Sequence, residues 1–175
     1  MFRAAVADGT ELGLQVAPIL ASGELVPDEL TIALIRDRLS QDDAIGGFIL
    51  DGFPRNIVQA EALDEMLEAI GRPLDVVLFF DLDDETTTVR ALGRAYEEGR
   101  PDDTPEVMAR RLAIYHEQTE PVVGRYRAAG TLHTLHADRS VDDVYAEISE
   151  ALRSSLLSRE SSFEPVSDAV VGEGT

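Results

Sequence analysis

The sequence contains no cysteine, no lysine and no tryptophan. Without cysteine there can be no disulfide and no thiolate metal site, so a reducing cytoplasm is the expected location. The longest uninterrupted apolar run, Val76 to Phe80, is too short to cross a bilayer. The opening residues, Met1 to Ala4, lack the charged segment and apolar core of a signal peptide. We therefore expect a cytoplasmic protein with no membrane partner.

Positively charged residues are also scarce compared with acidic ones. The formal net charge is −19, which argues against a general nucleic-acid-binding surface. All 15 basic residues are arginines. Because a guanidinium matches phosphate oxygens with two parallel hydrogen bonds, a local phosphate pocket is plausible in an otherwise acidic protein. A plain compositional bias towards arginine is the alternative explanation.

The most informative stretch of the chain runs from residue 47 to residue 55. The apolar run Phe48–Leu50 predicts a strand buried on both faces of a parallel sheet. It stops at Asp51 and Gly52, and a turn with Pro54 and Arg55 leads into a helical pattern. Ligands of open parallel sheets bind beyond the carboxyl ends of the strands, where this carboxylate and this guanidinium would lie.

The string Leu50-Asp51-Gly52-Phe53-Pro54-Arg55, followed by Gln59, closely resembles the nucleoside-monophosphate kinases, and adenylate kinase best among them. The resemblance implies that Asp51 holds Mg²⁺ through water, that Arg55 contacts a phosphate and that Gln59 contacts the adenine of AMP. Relatives specific for pyrimidines tend to carry Asn at this last position. Gln59 therefore favours AMP over UMP or CMP as the acceptor.

Apolar periodicity predicts alternating helices and strands. The predicted helices are the end of one over Met1 to Ala7, then Thr10 to Ser22, Pro27 to Leu39, Ile57 to Ile70, one starting at Asp83, one starting at Thr104 with a kink at Pro121, and Val141 to Leu152. The predicted strands besides Phe48–Leu50 are Asp75 to Leu82 and an edge strand, Thr131 to His136. This rhythm indicates an α/β fold. The resemblance specifies it as a parallel sheet like that of the P-loop NTPases, flanked by helices.

A second group of arginines surrounds an acidic pair. Arg90 and Arg94 are four residues apart on one helix face, which is costly unless an anion lies between them. Arg100, then Asp102 and Asp103, follow within a few residues. Salt bridges to nearby acids would explain any single arginine, but the whole pattern resembles the short adenylate kinase lid. By that resemblance the two aspartates orient the lid arginines.

The resemblance also assigns individual residues. AMP contacts are implied for Arg3, Leu25, Val26, Gly52, Arg55, Gln59, Arg100 and Arg111. ATP contacts are implied for Arg90, Arg94 and Arg139. Catalytic roles are implied for Arg55, Arg94, Arg100 and Arg111. The three histidines, His116, His133 and His136, have no catalytic or metal-binding companions in the sequence and are predicted to be structural.

We expect one adenylate kinase-like domain over residues 1–152. It divides into an AMP-binding region of about 1–45, a core of about 46–89, a short lid of about 90–103 and a C-terminal core of about 104–152. Serine, glutamate and glycine dominate afterwards, so residues 153–175 are predicted to form a disordered tail.

The family opens with a strand, a glycine-rich phosphate loop ending in Lys, and a helix, and nothing here matches that unit. We therefore expect an N-terminally truncated chain with little or no activity, since this loop supplies much of the stabilisation at the transferred phosphate. Without a central strand, the remaining strands must pair with each other or recruit another chain. Self-association is thus possible, although the full-length family is expected to be monomeric.

Three functions stay open on the sequence. The first is reversible phosphoryl transfer from ATP to AMP, giving two ADP. The second is a non-catalytic AMP-binding module, and the third is a kinase of the UMP/CMP type.

Overall fold

The computed structural model describes residues 1–100 and 102–162. The chain is mostly helical around a small parallel sheet, which confirms the predicted α/β class. The helices are α1 (Phe2–Ala7), α2 (Glu11–Ser22), α3 (Asp28–Leu39), α4 (Ile57–Ala69), α5 (Asp84–Glu98), α6 (Pro105–Ile114), α7 (Glu120–Ala128) and α8 (Val141–Ser162). The strands are β1 (Val77–Asp81) and β2 (Leu132–His136). A 3₁₀ turn covers Asp42–Ala44, and a π-helical turn, Tyr115–Thr119, joins α6 to α7.

Several helices begin where a polar side chain can cap them. The Thr10 hydroxyl accepts the Gly13 N–H at 3.1 Å before α2. The Asn56 side chain accepts the Gln59 N–H at 2.9 Å before α4. The Thr104 hydroxyl accepts the Val107 N–H at 3.3 Å before α6. These caps satisfy amides that have no partner inside the helix, and the predicted starts at Thr10 and Thr104 are confirmed.

The sheet consists of β1 and β2 in parallel. Val77 lies opposite Leu132, and Asp81 lies opposite His136. Helices α5, α6 and α7 form the crossover between the two strands, as parallel pairing requires. Both strands were predicted from the sequence, each a little longer than observed. Because parallel strands end on the same side, the segments after Asp81 and His136 leave the sheet at one edge.

The prediction of a strand buried on both faces at Phe48–Leu50 is wrong. The segment is extended but belongs to no strand. Phe48 and Leu50 pack against the core, whereas the side chain of Ile49 between them is 95% exposed. A strand needs a neighbour for its backbone groups, and in the described part of the chain β1 pairs with β2 instead. The apolar pattern therefore yields a half-buried extended segment.

Two apolar clusters meet around α4. One contains Ile35 of α3 with Phe53, Leu63 and Leu67. The other joins Ala60 of α4 to Val122 and Tyr126 of α7 and touches the sheet. Leu74 packs against both clusters. The loop from residue 51 to residue 56 leads straight into α4, so this double anchorage fixes the loop that was predicted to bind ligand.

The first helix rests directly on the second. A Cβ atom at Gly13 would lie 2.0 Å from the carbonyl oxygen of Ala5, far inside van der Waals contact. Only glycine allows the backbones of α1 and α2 to approach this closely. The contact determines where α1, and Arg3 on it, lies.

The last helix is longer than predicted. It continues past Leu152 to Ser162, so the first part of the predicted tail is helical. Ala151, Leu152 and Arg153 are good helix formers that carry the helix past the end of its apolar stripe. Residues 163–175 of the predicted tail lie outside the described residues. Among residues 1–100 and 102–162, no helix is long and apolar enough to cross a membrane.

Candidate functional site

Two buried carboxylates lie between α5 and α6. The side chain of Asp102 is 8% exposed and that of Asp103 is fully buried. Burying a carboxylate costs several kcal/mol unless charged partners and hydrogen bonds compensate. Both aspartates meet that condition through arginines from different helices.

Asp102 receives a two-pronged contact from α1. Nη1 and Nη2 of Arg3 donate to its two oxygens at 2.9 and 2.8 Å, over 99 positions of sequence. Nη2 of Arg111, on α6, donates to the same carboxylate at 2.5 Å. The hydrogen bonds from Arg3 lower the pKa of Asp102 most, burial opposes them, and Arg111 adds to the lowering, which brings the pKa to about 2. Asp102 is therefore a carboxylate anion at neutral pH.

Asp103 joins the same Arg111 to a third helix. Nη1 of Arg111 donates to one of its oxygens at 2.5 Å. Nε and Nη2 of Arg94, on α5, donate to the other at 3.2 and 3.0 Å. Burial alone would raise the pKa of Asp103, but the hydrogen bonds from Arg111 and Arg94 outweigh it and lower the pKa. We call Arg3, Arg94, Asp102, Asp103 and Arg111 the arginine–aspartate cluster.

Arg55 adds a fourth guanidinium beside this cluster. Its Nε donates to the carbonyl oxygen of Gly52 at 2.8 Å, which turns the side chain back over its own loop. The pKa of Arg55 is lowered, first by partial loss of water around the guanidinium and then by the positive charges of Arg111 and Arg3. Arg55 nevertheless remains exposed to solvent. Cations crowded at an open surface create a place where an anion is favourable.

Gly52 has the backbone conformation that this loop needs. Its φ is +71°, in the left-handed region that favours glycine. A Cβ here would lie 3.0 Å from Nη2 of Arg55. Glycine thus lets the guanidinium fold back onto the loop.

Arg90 and Arg139 lie near the loop after β2. Nη1 of Arg90 donates to the carbonyl oxygen of Ala137 at 2.7 Å. Nε of Arg139 donates to the carbonyl oxygen of His136 at 3.4 Å, and its Nη2 pairs with Glu147. Arg90 and Arg139, two of the three arginines predicted to contact ATP, are therefore held at the carboxyl end of β2. Arg94 lies one helical turn from Arg90, so α5 connects this place to the arginine–aspartate cluster.

Arg100 lies in the turn before the two aspartates. Its carbonyl oxygen accepts the Asp103 N–H at 3.5 Å, and its side chain is half-buried. This turn is what presents Asp102 and Asp103 to the helices around them. The predicted phosphate contact of Arg100 stays a prediction.

The residues predicted to surround adenine are buried or half-buried. Gln59 is only 2% exposed. Its Oε1 accepts the Arg55 N–H at 2.8 Å and its Nε2 donates to Asp28 at 2.7 Å. Val26 is buried and Leu25 is half-buried. The amide of Gln59 has one hydrogen and one lone pair left for a ligand, so its predicted contact with adenine remains a prediction.

Asp51 is an exposed carboxylate in the same loop as Arg55. Within the part of the chain that the structure describes, no group of three or more His, Asp or Glu side chains could hold a metal ion. Mg²⁺ commonly keeps several waters and binds through one or two carboxylates together with substrate phosphates. A single exposed carboxylate fits that mode, and Asp51 would be the residue that contacts the hydrated ion.

Sequence reasoning missed two polar residues that support this site. Asp28, at the start of α3, accepts hydrogen bonds from the side chains of both Asn56 and Gln59, at 2.9 and 2.7 Å. Thr119 donates to the carbonyl oxygen of Arg55 at 2.7 Å. No functional role was predicted for Asp28 or for Thr119. No local signal in the sequence marks either contact.

His116 was predicted to be structural, and its surroundings are acidic. Its Nε2 lies 2.9 Å from Asp84 of α5 and its Nδ1 lies 3.1 Å from Glu120 of α7. The hydrogen bonds to Asp84 and then to Glu120 raise the pKa of His116. His116 thus links the π-helical turn to the start of α5, outside the arginine–aspartate cluster.

The protein is therefore of the α/β class, and it gathers guanidinium groups around one pair of buried aspartates. The family model described as adenylate kinase matches residues 1–131. An adenylate kinase of Parvibaculum lavamentivorans is 47% identical over 155 residues, covering 87% of this chain and 76% of that protein. An adenylate kinase of Caulobacter vibrioides (strain NA1000) is 50% identical over 152 residues, covering 87% and 80%. One of Thermobifida fusca is 47% identical over 154 residues, covering 88% and 82%. The chain belongs to the adenylate kinase family.

Proposed function

We propose that the chain binds AMP and ATP and takes part in the reversible transfer of the terminal phosphoryl group of ATP to AMP, which gives two ADP. The observation that carries the proposal is the convergence of Arg3, Arg94 and Arg111, from three helices, at one pair of buried aspartates, with Arg55 close to Arg3 and Arg111. Membership of the adenylate kinase family supports it.

The roles of individual residues follow from their positions. Arg55, Arg3 and Arg111 approach one another from the loop, α1 and α6, so we assign them to the phosphate of AMP. Arg94 links this group to Arg90 on α5, so we assign Arg94 to the phosphoryl group in transfer and Arg90 with Arg139 to ATP. Phosphoryl transfer depends on positioning and charge stabilisation rather than on covalent chemistry, and arginines supply both.

Mg²⁺ bound with ATP would neutralise part of the phosphate charge, with Asp51 contacting it through water. Asp102 and Asp103 do not touch substrate in this scheme. They hold the arginines ready and keep them partly neutralised until a phosphate arrives. The proposal includes the division into an AMP-binding region of about 1–45, a lid of about 90–103 and cores between and after them. A cytoplasmic location also belongs to it and is supported by the lack of cysteine.

A non-catalytic AMP-binding function is the second candidate, because the 175 residues contain no lysine. In this family's chemistry a lysine reaches the β- and γ-phosphates of ATP. We therefore expect AMP binding to report on these residues more directly than the rate of ADP formation does.

The experiment is an ADP-formation assay with Mg²⁺ and ATP, using AMP, UMP and CMP as acceptors, alongside calorimetric AMP binding. Arg94→Gln tests the site and Arg38→Gln is the matched control, since Arg38 pairs with the exposed Asp43 at the end of α3. ADP formation that is lost in Arg94→Gln and retained in Arg38→Gln supports phosphoryl transfer with AMP. AMP binding without ADP formation supports the second candidate. Absence of AMP binding would contradict both.

A further inference from the structure

The backbone of Arg55 is held from both sides. Its N–H donates to Oε1 of Gln59 at 2.8 Å. Its carbonyl oxygen accepts the hydroxyl of Thr119 at 2.7 Å. Its own Nε donates to the carbonyl oxygen of Gly52 at 2.8 Å. Three hydrogen bonds thus hold the backbone N–H, the backbone carbonyl and the guanidinium Nε of this one arginine.

These three contacts differ in reach. Gln59 and Gly52 lie within four positions of Arg55, so they shape the loop internally. Thr119 is 64 positions away, at the junction of the π-helical turn and α7. Only the contact with Thr119, among these three, ties the loop to the helical segment that carries Arg111. The contact with Thr119 therefore helps to set the distance between the guanidinium groups of Arg55 and Arg111.

The π-helical turn explains why Thr119 faces the loop. A turn of this kind inserts an extra residue, rotates the helix beyond it and often lies at functional sites. Here it comes just before Pro121, which has no N–H to continue a regular helix. Thr119 is half-buried at this junction, with its hydroxyl directed to the carbonyl of Arg55.

The hydrogen bond from Thr119 matters because the neighbouring arginines repel the positive charge of Arg55. Arg111 and Arg3 place positive charge near Arg55. With no anion between them, an exposed arginine on a loop would swing away into water at little cost. A fixed backbone limits that movement and reduces the ordering that a phosphate must impose when it binds.

We propose that Thr119 is a positioning residue for nucleotide binding: its hydroxyl holds the carbonyl of Arg55 so that the Arg55 and Arg111 guanidinium groups can grip one phosphate together. This inference rests on the proposed function, since it takes AMP as the source of that phosphate. Thr119 itself does not touch the nucleotide.

The test compares Thr119→Val, which keeps the branched shape without the hydroxyl, with Thr119→Ser, which keeps the hydroxyl. Thr88→Val is the matched control, because the Thr88 hydroxyl also donates to a carbonyl at 2.7 Å, but inside α5. AMP affinity is measured by calorimetry. The Nε–H signal of Arg55 is followed by NMR without ligand, and circular dichroism reports folding. Should Thr119→Val fail to fold, Thr119→Ala is measured instead.

Thr119→Val is expected to weaken AMP binding roughly fivefold to tenfold, the usual effect of losing one hydrogen bond. It should also shift or broaden the Arg55 Nε–H signal. Thr119→Ser and Thr88→Val should behave like the unchanged protein in both measurements. A purely structural role would lower the melting temperature and leave the Arg55 signal unaltered.

The inference is overturned if Thr119→Val leaves both the Arg55 signal and the AMP affinity unchanged. If the unchanged chain binds no AMP, the proposed function fails, and the NMR signal still decides whether Thr119 positions Arg55. In that case an unaltered signal in Thr119→Val overturns the inference, and an altered signal seen only without the hydroxyl supports it.

Discussion

Two ion pairs of the same geometry lie in different surroundings. Arg38 donates twice to Asp43, both times at 2.8 Å, and Arg3 donates twice to Asp102 at 2.9 and 2.8 Å. The side chain of Asp43 is 68% exposed, whereas that of Asp102 is 8% exposed. Water competes for the first pair and hardly reaches the second carboxylate. Similar hydrogen bonds should therefore contribute little to stability in one place and much in the other.

The difference also explains the arrangement of the arginines. A surface aspartate needs one partner or none, but a buried aspartate must have its charge compensated from several sides. Asp102 and Asp103 therefore collect arginines from α1, α5 and α6. The same requirement that stabilises the fold draws together the groups proposed to bind phosphate. Variants of the buried aspartates and of the exposed ion pairs test this difference.

The largest effect is expected from Asp103→Asn. Arg94 and Arg111 would lose a charged partner at a position with no access to water, so we expect the free energy of unfolding to fall by about 3 kcal/mol. Asp43→Asn is the matched control and should cost less than about 1 kcal/mol. Urea unfolding of both variants measures the difference. Equal losses would show that burial does not distinguish the two regions.

A smaller effect is expected from Gly13→Ala, which reaches the cluster through backbone contact. The added methyl group would meet the carbonyl oxygen of Ala5 at 2.0 Å and push α1, with Arg3, away from Asp102. Overpacking of this kind costs about 2 kcal/mol. Gly124→Ala in α7 is the control, because its added methyl meets nothing within 4 Å. Alanine is the better helix former, so the control should be neutral or stabilising.

Thermal unfolding gives the free-energy change for both glycine variants. If α1 shifts as expected, Gly13→Ala and Arg3→Met should not be additive, since both remove the same ion pair. Full additivity would mean that the Gly13 contact does not position Arg3.

Acid should remove the stability that the buried carboxylate of Asp102 contributes. The pKa of Asp102 is about 2 in the folded chain and close to 4 when unfolded. A carboxyl whose pKa is lowered on folding stabilises the protein above the unfolded value. That contribution, roughly 2 kcal/mol, should be lost as the pH falls from about 4 to about 2. Urea unfolding across this range should show a shallower dependence on pH in Asp102→Asn. The same slope in both proteins would exclude Asp102 as the cause.

The smallest effect is expected at His116, whose contacts with Asp84 and Glu120 are exposed to solvent. Contacts with Asp84 and then Glu120 raise its pKa in the folded chain. A histidine of this kind stabilises the fold fully below its unfolded pKa of about 6.5. The contribution disappears as the pH rises through the folded value. The melting temperature should therefore fall slightly more from mildly acidic to mildly alkaline pH in the unchanged protein than in His116→Gln. An identical fall in both would contradict this assignment.

Local features of the fold could be predicted from the sequence. Thr10 and Thr104 cap the helices that begin after them, and Arg90 and Arg94 share a helix face because helical spacing requires it. The family resemblance implied that the two aspartates orient the lid arginines, but it did not predict that Arg3 pairs with Asp102. The binding roles of those arginines stay predictions.

Features that depend on distant partners could not be predicted. Phe48–Leu50 has the composition of a strand, but strand formation depends on a neighbour rather than on its own residues. The Thr119 hydroxyl meets a carbonyl 64 positions away, and hydroxyl-to-backbone contacts leave no periodic trace in a sequence. Nothing in the sequence marks Gly13 as a contact, and only the packing of α1 shows why glycine fits there.

A calorimetric titration of AMP into the unchanged chain and into Arg55→Gln, with the melting temperature of each, shows whether these guanidinium groups bind a phosphate. Arg55 lies near other cations that it does not neutralise, so removing its charge should relieve repulsion. We expect saturable AMP binding that weakens at least about tenfold in Arg55→Gln, with a melting temperature that is unchanged or higher. Absence of AMP binding, or equal affinity in the two proteins, would contradict this expectation.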